Sequence, residues 1–167
     1  LIVGRALYEG TVRLAEALGN TCISPDDGLS GDGVFLRPPR LAEMAFVRGL
    51  WGDEATMRLV GGPVVLDDEQ ARRWHARMVN PGRPTDCFCL IFVDDEPVGE
   101  VSFHRLERAT LTADFNIKVL ASRRERGIGK AAMDALLDYF FNSLGGQLML
   151  DDVALDNPVG QHALLTF

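Results

Sequence analysis

The residues best suited to chemistry in this sequence lie in one run, Arg124-Glu125-Arg126-Gly127-Ile128-Gly129-Lys130. It sits just before a strongly periodic apolar segment, and its make-up suits an anion. The first N–H groups of a helix have no internal partner, and the helix dipole adds partial positive charge there. Glycines let a ligand approach the backbone closely, and Arg124, Arg126 and Lys130 add full charges. Three phosphate-binding motifs compete for the run. A nucleoside-triphosphate loop needs Gly at position 124 and Ser or Thr at 131, where this chain has Arg124 and Ala131, so that motif fails. A dinucleotide fingerprint fits literally as Gly127-x-Gly129-x-x-Ala132, with Asp151 and Asp152 downstream. That motif wants a strand running straight into its first glycine, but Ala121 to Arg126 intervene, and too little chain follows for the parallel strands it needs. Two readings stay open: Arg-x-x-Gly-x-Gly gripping an anion between a strand and a helix, or a basic helix start that binds nothing.

The elements around the run decide how it is held. Ile128, Ala132, Leu136, Phe140 and Leu144 recur every four residues, which predicts a helix over 128–144 closed by Gly145-Gly146. Before it, Leu111 to Leu120 alternates cleanly. Leu111, Ala113, Phe115, Ile117 and Val119 share one strand face, and Thr112, Asp114, Asn116 and Lys118 share the other. Cys87–Val93 and Val98–Leu106 read as two further strands joined by a turn at Asp94-Asp95-Glu96-Pro97, so the three form an antiparallel meander. Upstream, Val34–Arg37 reads as a strand and Leu41–Leu50 as a helix. A second helix is capped by Asp67 with Gln70 three residues on. Downstream, Gln147–Ala154 reads as a strand and a last helix begins near Asn157-Pro158. The order β-α-α-β-β-β-α-β-α predicts a mixed α/β domain over 34–167 around one largely antiparallel sheet. Residues 22–33 read as a linker, because Ser24-Pro25-Asp26-Asp27-Gly28 and Gly31-Asp32-Gly33 are turn chemistry, and residues 1–21 as a strand-helix appendage.

Composition narrows the function classes. The chain has 167 residues, 47% of them hydrophobic, enough for one domain with a buried core. A net charge of −7 argues against a nucleic-acid partner, whose affinity would rest on cations neutralising phosphates, and mildly favours a cationic substrate. No apolar run reaches the roughly 20 residues of a membrane span, so no membrane partner is expected. Cys22, Cys87 and Cys89 are an odd set. The last two share a strand face too closely for a disulfide, and no fourth cysteine completes a zinc quartet. A reduced, cytoplasmic protein without a metal is the expectation.

At the glycine run the chain resembles the GNAT superfamily of N-acetyltransferases, over residues 34–167. Arg124-x-x-Gly127-x-Gly129 matches the family's acetyl-CoA signature, and the order of elements matches its fold. Phe35-Leu36-Arg37-Pro38, Met57 to Pro63 and Glu69 to Trp74 are similar to the subgroup that acetylates ribosomal-protein N-termini and related amines. The resemblance implies acetyl-CoA as co-substrate, with its pyrophosphate on the N–H groups of residues 125–130, notably Arg126, Ile128, Gly129 and Lys130. It implies a pantetheine arm paired with backbone at Val119-Leu120 and touched by Asn157, and a thioester slot where that strand splays from the next. A primary amine, on a peptide N-terminus or a small molecule, would attack directly, a carboxylate acting through water as base. Asp114 corresponds to an acidic position common in the subgroup, and Glu100 and His104, sharing a face of the neighbouring strand, are alternatives.

The sequence departs from the family at its end. Leu164 stands where the family often has the Tyr that protonates the departing thiolate, and Gly160 where it often has Ala. The family carries a last strand after a Gly-Phe that this sequence does not reach; either that strand is simply missing from this chain, or a second subunit covers the exposed sheet edge, as in a homodimer. These departures keep open a non-catalytic CoA-binding module. Residues 1–18 resemble instead the final strand and helix of the barrel isomerase of histidine biosynthesis; one such unit cannot close an eight-stranded barrel, so no isomerase activity is inferred.

Overall fold

The computed structural model describes residues 22–24, 27–155 and 157–165. The 1–21 appendage and its isomerase-like pattern lie outside them. The elements are β1 (Leu29–Gly31), β2 (Val34–Arg37), α1 (Met44–Gly52), α2 (Glu54–Met57), α3 (Asp68–Met78), β3 (Cys87–Val93), β4 (Glu96–Glu107), β5 (Thr112–Val119), α4 (Ile128–Asp138), β6 (Leu148–Leu150) and α5 (Pro158–Leu165). The six strands form one sheet in sequence order, antiparallel throughout except for the parallel pair β5–β6.

Side-chain alternation gives this sheet two dissimilar faces. On one, Cys87, Cys89, Ile91, Val101, Phe103 and Phe115 pack against Ile128, Ala132, Leu136 and Phe140 of α4 and the turn after it. Phe103 and Phe140 meet edge to face at 5.3 Å, an arrangement the ring quadrupoles favour. On the other face Phe88, Leu90 and Phe92 of β3 pack against Met44 and Val47 of α1 and Ala71 of α3. The apolar contacts of that second face stop at β3. Beyond it, β4 and β5 present polar side chains toward the same side.

The predicted strands and helices are present, with four local differences. The stretch read wholly as linker contains β1, folded back on β2 through Asp32-Gly33, with Gly33 at φ 71°. An Asp-Gly pair between extended residues is a hairpin signal, and its neighbouring glycines and aspartates disguised it. β4 begins at Glu96, not Val98, because the turn is the two residues Asp94 and Asp95, both at positive φ. Pro97 is tolerated beside a bulge at Ile91/Phe92, where a ladder N–H is not required. The long helix turns from α to π at Tyr139–Ser143, which seats Phe140 and Leu144 in the core and lets Gly146 run against the Phe140 ring. β6 spans only Leu148–Leu150 of the predicted 147–154.

The cysteines also differ from expectation. Cys22 and Cys87 are joined, with Cα atoms 4.5 Å apart, while Cys89 is free and buried. The reduced set expected from the sequence is thereby corrected: weighing only the Cys87–Cys89 spacing overlooked Cys22, which the chain before β1 brings beside β3. Burial pushes the Cys89 thiol up to about 12. Among the described residues no helix is long and apolar enough to cross a membrane.

The two-faced packing sets a test. Replacing Phe103 by Ala should cost about 3–5 kcal/mol in urea unfolding, whereas Leu155→Ala, at a side chain 97% exposed, should stay within about 0.5 kcal/mol.

Candidate active site

The glycine run joins the end of β5 to α4, and its shape follows from two side-chain anchors. After Val119 a short 3-10 turn covers Ala121–Arg123, and Arg124 is extended. Glu125 and Gly127 both take positive φ, at 63° and 76°, and Gly127 is the N-cap of α4. Its missing Cβ is what makes that conformation inexpensive. No side chain caps this helix, and the first internal bond runs from Ala131 N–H to the Gly127 carbonyl at 3.0 Å. The N–H groups of Ile128, Gly129 and Lys130 thus precede the helical ladder and carry the positive end of the dipole. At Gly129 an added Cβ would meet only a Val119 methyl, at 3.9 Å, so the space over the helix start is open.

Arg124, expected to contact the cofactor, is also bonded within the protein. Its Nε–H donates to the Val119 carbonyl at 3.1 Å and its terminal nitrogen to the Thr56 carbonyl at 2.8 Å. Thr56, fully buried at the end of α2, accepts from Ala121 N–H at 2.9 Å and donates its own hydroxyl proton to Asp53. One guanidinium and one hydroxyl therefore tie the strand end, the loop and α2 together. Asp53 was missed in the sequence; the pattern Asp-x-x-Thr, in which Asp53 caps α2 by accepting from Thr56 N–H, was the available signal. Arg126 is exposed at the loop, and Lys130 pairs with Asp134 one turn on, at 2.7 Å.

Beside the loop the sheet divides. β5 and β6 pair only at Thr112↔Leu148, Ala113↔Met149 and Asp114↔Leu150. Leu120 N–H donates to the Val98 carbonyl at 2.9 Å and Val119 stands opposite Gly99. Antiparallel alternation then turns the backbone groups of Ile117 and Val119 away from β4, toward the gap left by β6. Gly99 has no room for a side chain, since its Cβ would fall 2.4 Å from the Lys118 carbonyl. Asn157 caps α5, its side-chain oxygen accepting from Gly160 N–H at 2.9 Å.

The polar face of β4 and β5 carries the carboxylates expected as bases. Cross-strand register sets Glu100 opposite Lys118, Ser102 opposite Asn116 and His104 opposite Asp114. Glu100 is fully buried with both oxygens occupied. Lys118 Nζ donates to one at 2.6 Å and Trp51 Nε1 of α1 to the other at 2.7 Å, while Lys118 also donates to Asn116 at 2.7 Å. Trp51, Trp74 and Phe88 pack edge to face behind this pair. Asp114 is half-buried and held by Arg105. Burial holds the His104 imidazole below its ordinary range, and its ring stands 3.5 Å from the Ser102 hydroxyl. A third acid, Asp151, follows directly on β6; desolvation raises it to about 6, with the charge of Asp152 adding and a backbone bond from Asp152 opposing. The sequence offered it only as a piece of the rejected dinucleotide pattern. Among the described residues Cys22, Cys87 and Cys89 bring their sulfurs within 4.8 Å of one another, but with Cys22 and Cys87 joined the cluster offers a metal just the buried Cys89 thiol.

Residues 34–164 match the family model of the acetyltransferase (GNAT) domain. Solved structures share the fold. A spermidine N-acetyltransferase from Vibrio cholerae, in complex with CoA and spermine, superposes with a TM-score of 0.73 at 16% identity, over 80% of this chain and 79% of that one. A Vibrio cholerae protein provisionally assigned as a ribosomal-protein-serine acetyltransferase gives 0.70 at 16% identity, over 86% and 83%. A GNAT-family acetyltransferase from Bacillus anthracis gives 0.67 at 15%, over 83% and 81%. A search of curated protein sequences returns no significant match.

The buried pair predicts a specific stability pattern. Lys118→Met strands the Glu100 charge and should cost about 3–5 kcal/mol in urea unfolding at neutral pH. The double variant with Glu100→Gln should recover most of that loss. Equal losses in both would mean that the pairing is not what matters there.

Proposed function

The chain belongs to the GNAT acetyltransferase family, and we propose that it moves an acetyl group from acetyl-CoA to a primary amine, on a peptide N-terminus or a small molecule. The observation that carries this reading is the uncapped start of α4, bearing Gly127 and Gly129, at the mouth of the gap between β5 and β6. Uncapped N–H donors with open space above them fit a pyrophosphate. In this reading Ile128, Gly129 and Lys130 give those donors, and Arg126 and Lys130 add charge. Arg124 holds Val119 and the loop in place. The backbone of Ile117 and the Val119 N–H, with Leu120 fixed against β4, offer strand-like partners to the pantetheine amides, and Asn157 at the start of α5 would touch the same arm. When bound, acetyl-CoA supplies the activated thioester; the protein's part is to orient it, exclude water and move one proton.

The amine would approach over the polar face of β4 and β5, where Glu100 and Asp114 lie. Both are engaged by cations, so here they shape and polarise the acceptor side. Leu164 cannot donate a proton, which leaves protonation of the departing thiolate to water. The same residue favours a second reading, a CoA-holding module that does not turn over. Thiol release with a panel of primary amines separates the two, since steady turnover with any of them excludes the second.

Calorimetric titration should show acetyl-CoA binding to the unaltered chain, and Gly129→Glu, which fills the open space with a negative charge, should abolish it. Arg124→Lys should weaken binding about tenfold or more, much as Arg124→Ala does, because an ammonium cannot hold both carbonyls in the guanidinium's fixed fork. Unchanged affinity in Arg124→Lys would show that charge alone matters at that position.

A further inference from the structure

We propose that the Cys22–Cys87 bond is a reversible exchange site for a low-molecular-weight thiol, and that closing it tightens the hold on the cofactor. The second half rests on the acetyl-CoA reading above. The two sulfurs are unequal. Cys87 is fully buried on β3, whereas Cys22, ahead of β1, is half-buried, so Cys22 offers the sulfur that a thiolate in solvent can reach. Behind them stands a third sulfur, that of Cys89, 3.9 Å from Cys87 Sγ. Cys87 is oxidised and has no S–H, so Cys89 is the donor in that contact. Burial keeps its proton in place, with the thiol raised to about 12. Cys89 therefore does not attack the bond itself, since the thiolate is the attacking species. It stands instead as a proton donor beside the sulfur that must leave when the bond opens.

The exchange balances with a small thiol and its disulfide as co-reactants. A first thiolate attacks Cys22 Sγ and forms a mixed disulfide there. The Cys22–Cys87 bond breaks with its electron pair on Cys87, which accepts from Cys89 S–H and then takes a proton from solvent. A second thiolate attacks the outer sulfur of the mixed disulfide. The small-molecule disulfide is released, and Cys22 leaves with the electron pair and is protonated by solvent. Two small thiols are oxidised and one protein disulfide is reduced; the reverse sequence closes the bond. What the bond fastens lies against the cofactor end of α4. Ile23, next to Cys22, is buried in the same core cluster as Ile128 and Ala131 of the first turn of α4. A Cβ placed on Gly31 of β1 would fall 3.0 Å from the Ala131 carbonyl and 3.3 Å from the Ala135 side chain, so the β1 backbone packs directly on that helix. The bond ties the chain leading into β1 to β3, across a separation of 65 residues. Opening it removes that restraint from the first turn of α4, whose uncapped N–H groups would hold the pyrophosphate. Bond and cofactor thus act on one piece of backbone, and linkage makes their effects reciprocal.

The test equilibrates the full chain in glutathione buffers of graded ratio, quenches with acid, alkylates and maps the modified cysteines by mass spectrometry. The folded chain should pass between a Cys22–Cys87 disulfide and three free thiols. Cys89→Ala should reach the same pairing but open severalfold more slowly. Calorimetry uses S-methyl-CoA, which has neither a free thiol nor a reactive thioester. The closed chain should bind it about fivefold or more tightly than the open one. Saturating S-methyl-CoA should raise, by the same factor, the reducing ratio needed to open the bond. Cys22→Ser should bind as the open chain does in every buffer, with circular dichroism checking its fold. A different pairing, or a bond that glutathione opens only after urea unfolding, overturns the exchange site. Equal affinity of the open and closed chains overturns the coupling and leaves the acetyl-CoA reading standing. No binding by either form overturns that reading and the coupling with it.

Discussion

One guanidinium holds the site together. Arg124 reaches back from the loop to the Val119 carbonyl and across to the Thr56 carbonyl, and Thr56 returns a bond by accepting from Ala121 N–H. These contacts tie the end of β5 and the loop after it to α2, 65 residues earlier in the sequence, at the point where the sheet divides. They let Glu125 and Gly127 hold left-handed conformations and let α4 begin without a side-chain cap. An uncapped helix start is costly unless water or a ligand satisfies it; a loop braced from behind can keep those donors directed outward.

The sheet behind the loop is built asymmetrically for the same end. Its α4 side is apolar across five strands, and this packing fixes the axis of α4 and so the direction of its dipole. Its other side is apolar only at β3 and becomes polar at β4 and β5. There a fully buried Glu100 is neutralised by Lys118 and accepts a hydrogen bond from Trp51, which ties α1 to the middle of the sheet. Desolvating such a pair costs roughly what its attraction returns, so its value lies less in stability than in specifying where α1 sits. The aromatic stack of Trp51, Trp74 and Phe88 extends that constraint to α3.

Much of this could be read from residue types. The period of four in α4, the alternation of β5 and the Gly127-x-Gly129 spacing each express a backbone geometry directly, and the elements lie where those patterns put them. The hairpin at Asp32-Gly33 had a local signal too, masked by the turn-forming residues around it. What stayed hidden depends on contacts between segments far apart in sequence. Nothing local marks Thr56 as the partner of position 121, or Cys22 as the neighbour of Cys87. The anchoring of Arg124 stayed hidden for the same reason: its charge is evident in the sequence, but the carbonyls it donates to are not. Asp151 lies in a stretch whose pattern continues as a strand, and only the early parting of β6 from β5 sets it apart.

The central claim is that the start of α4 and the free edge of β5 form one continuous binding surface for the cofactor. Amide NMR of the ¹⁵N-labelled chain titrated with CoA tests it most directly. The structure predicts that the largest shifts fall on Ile128, Gly129 and Lys130, together with Ile117 and Val119, in a single saturable phase. Shifts confined to other surfaces, such as the charged groove at Arg48, Asp67 and Asp68, or shifts at α4 that leave Ile117 and Val119 unmoved, would contradict it.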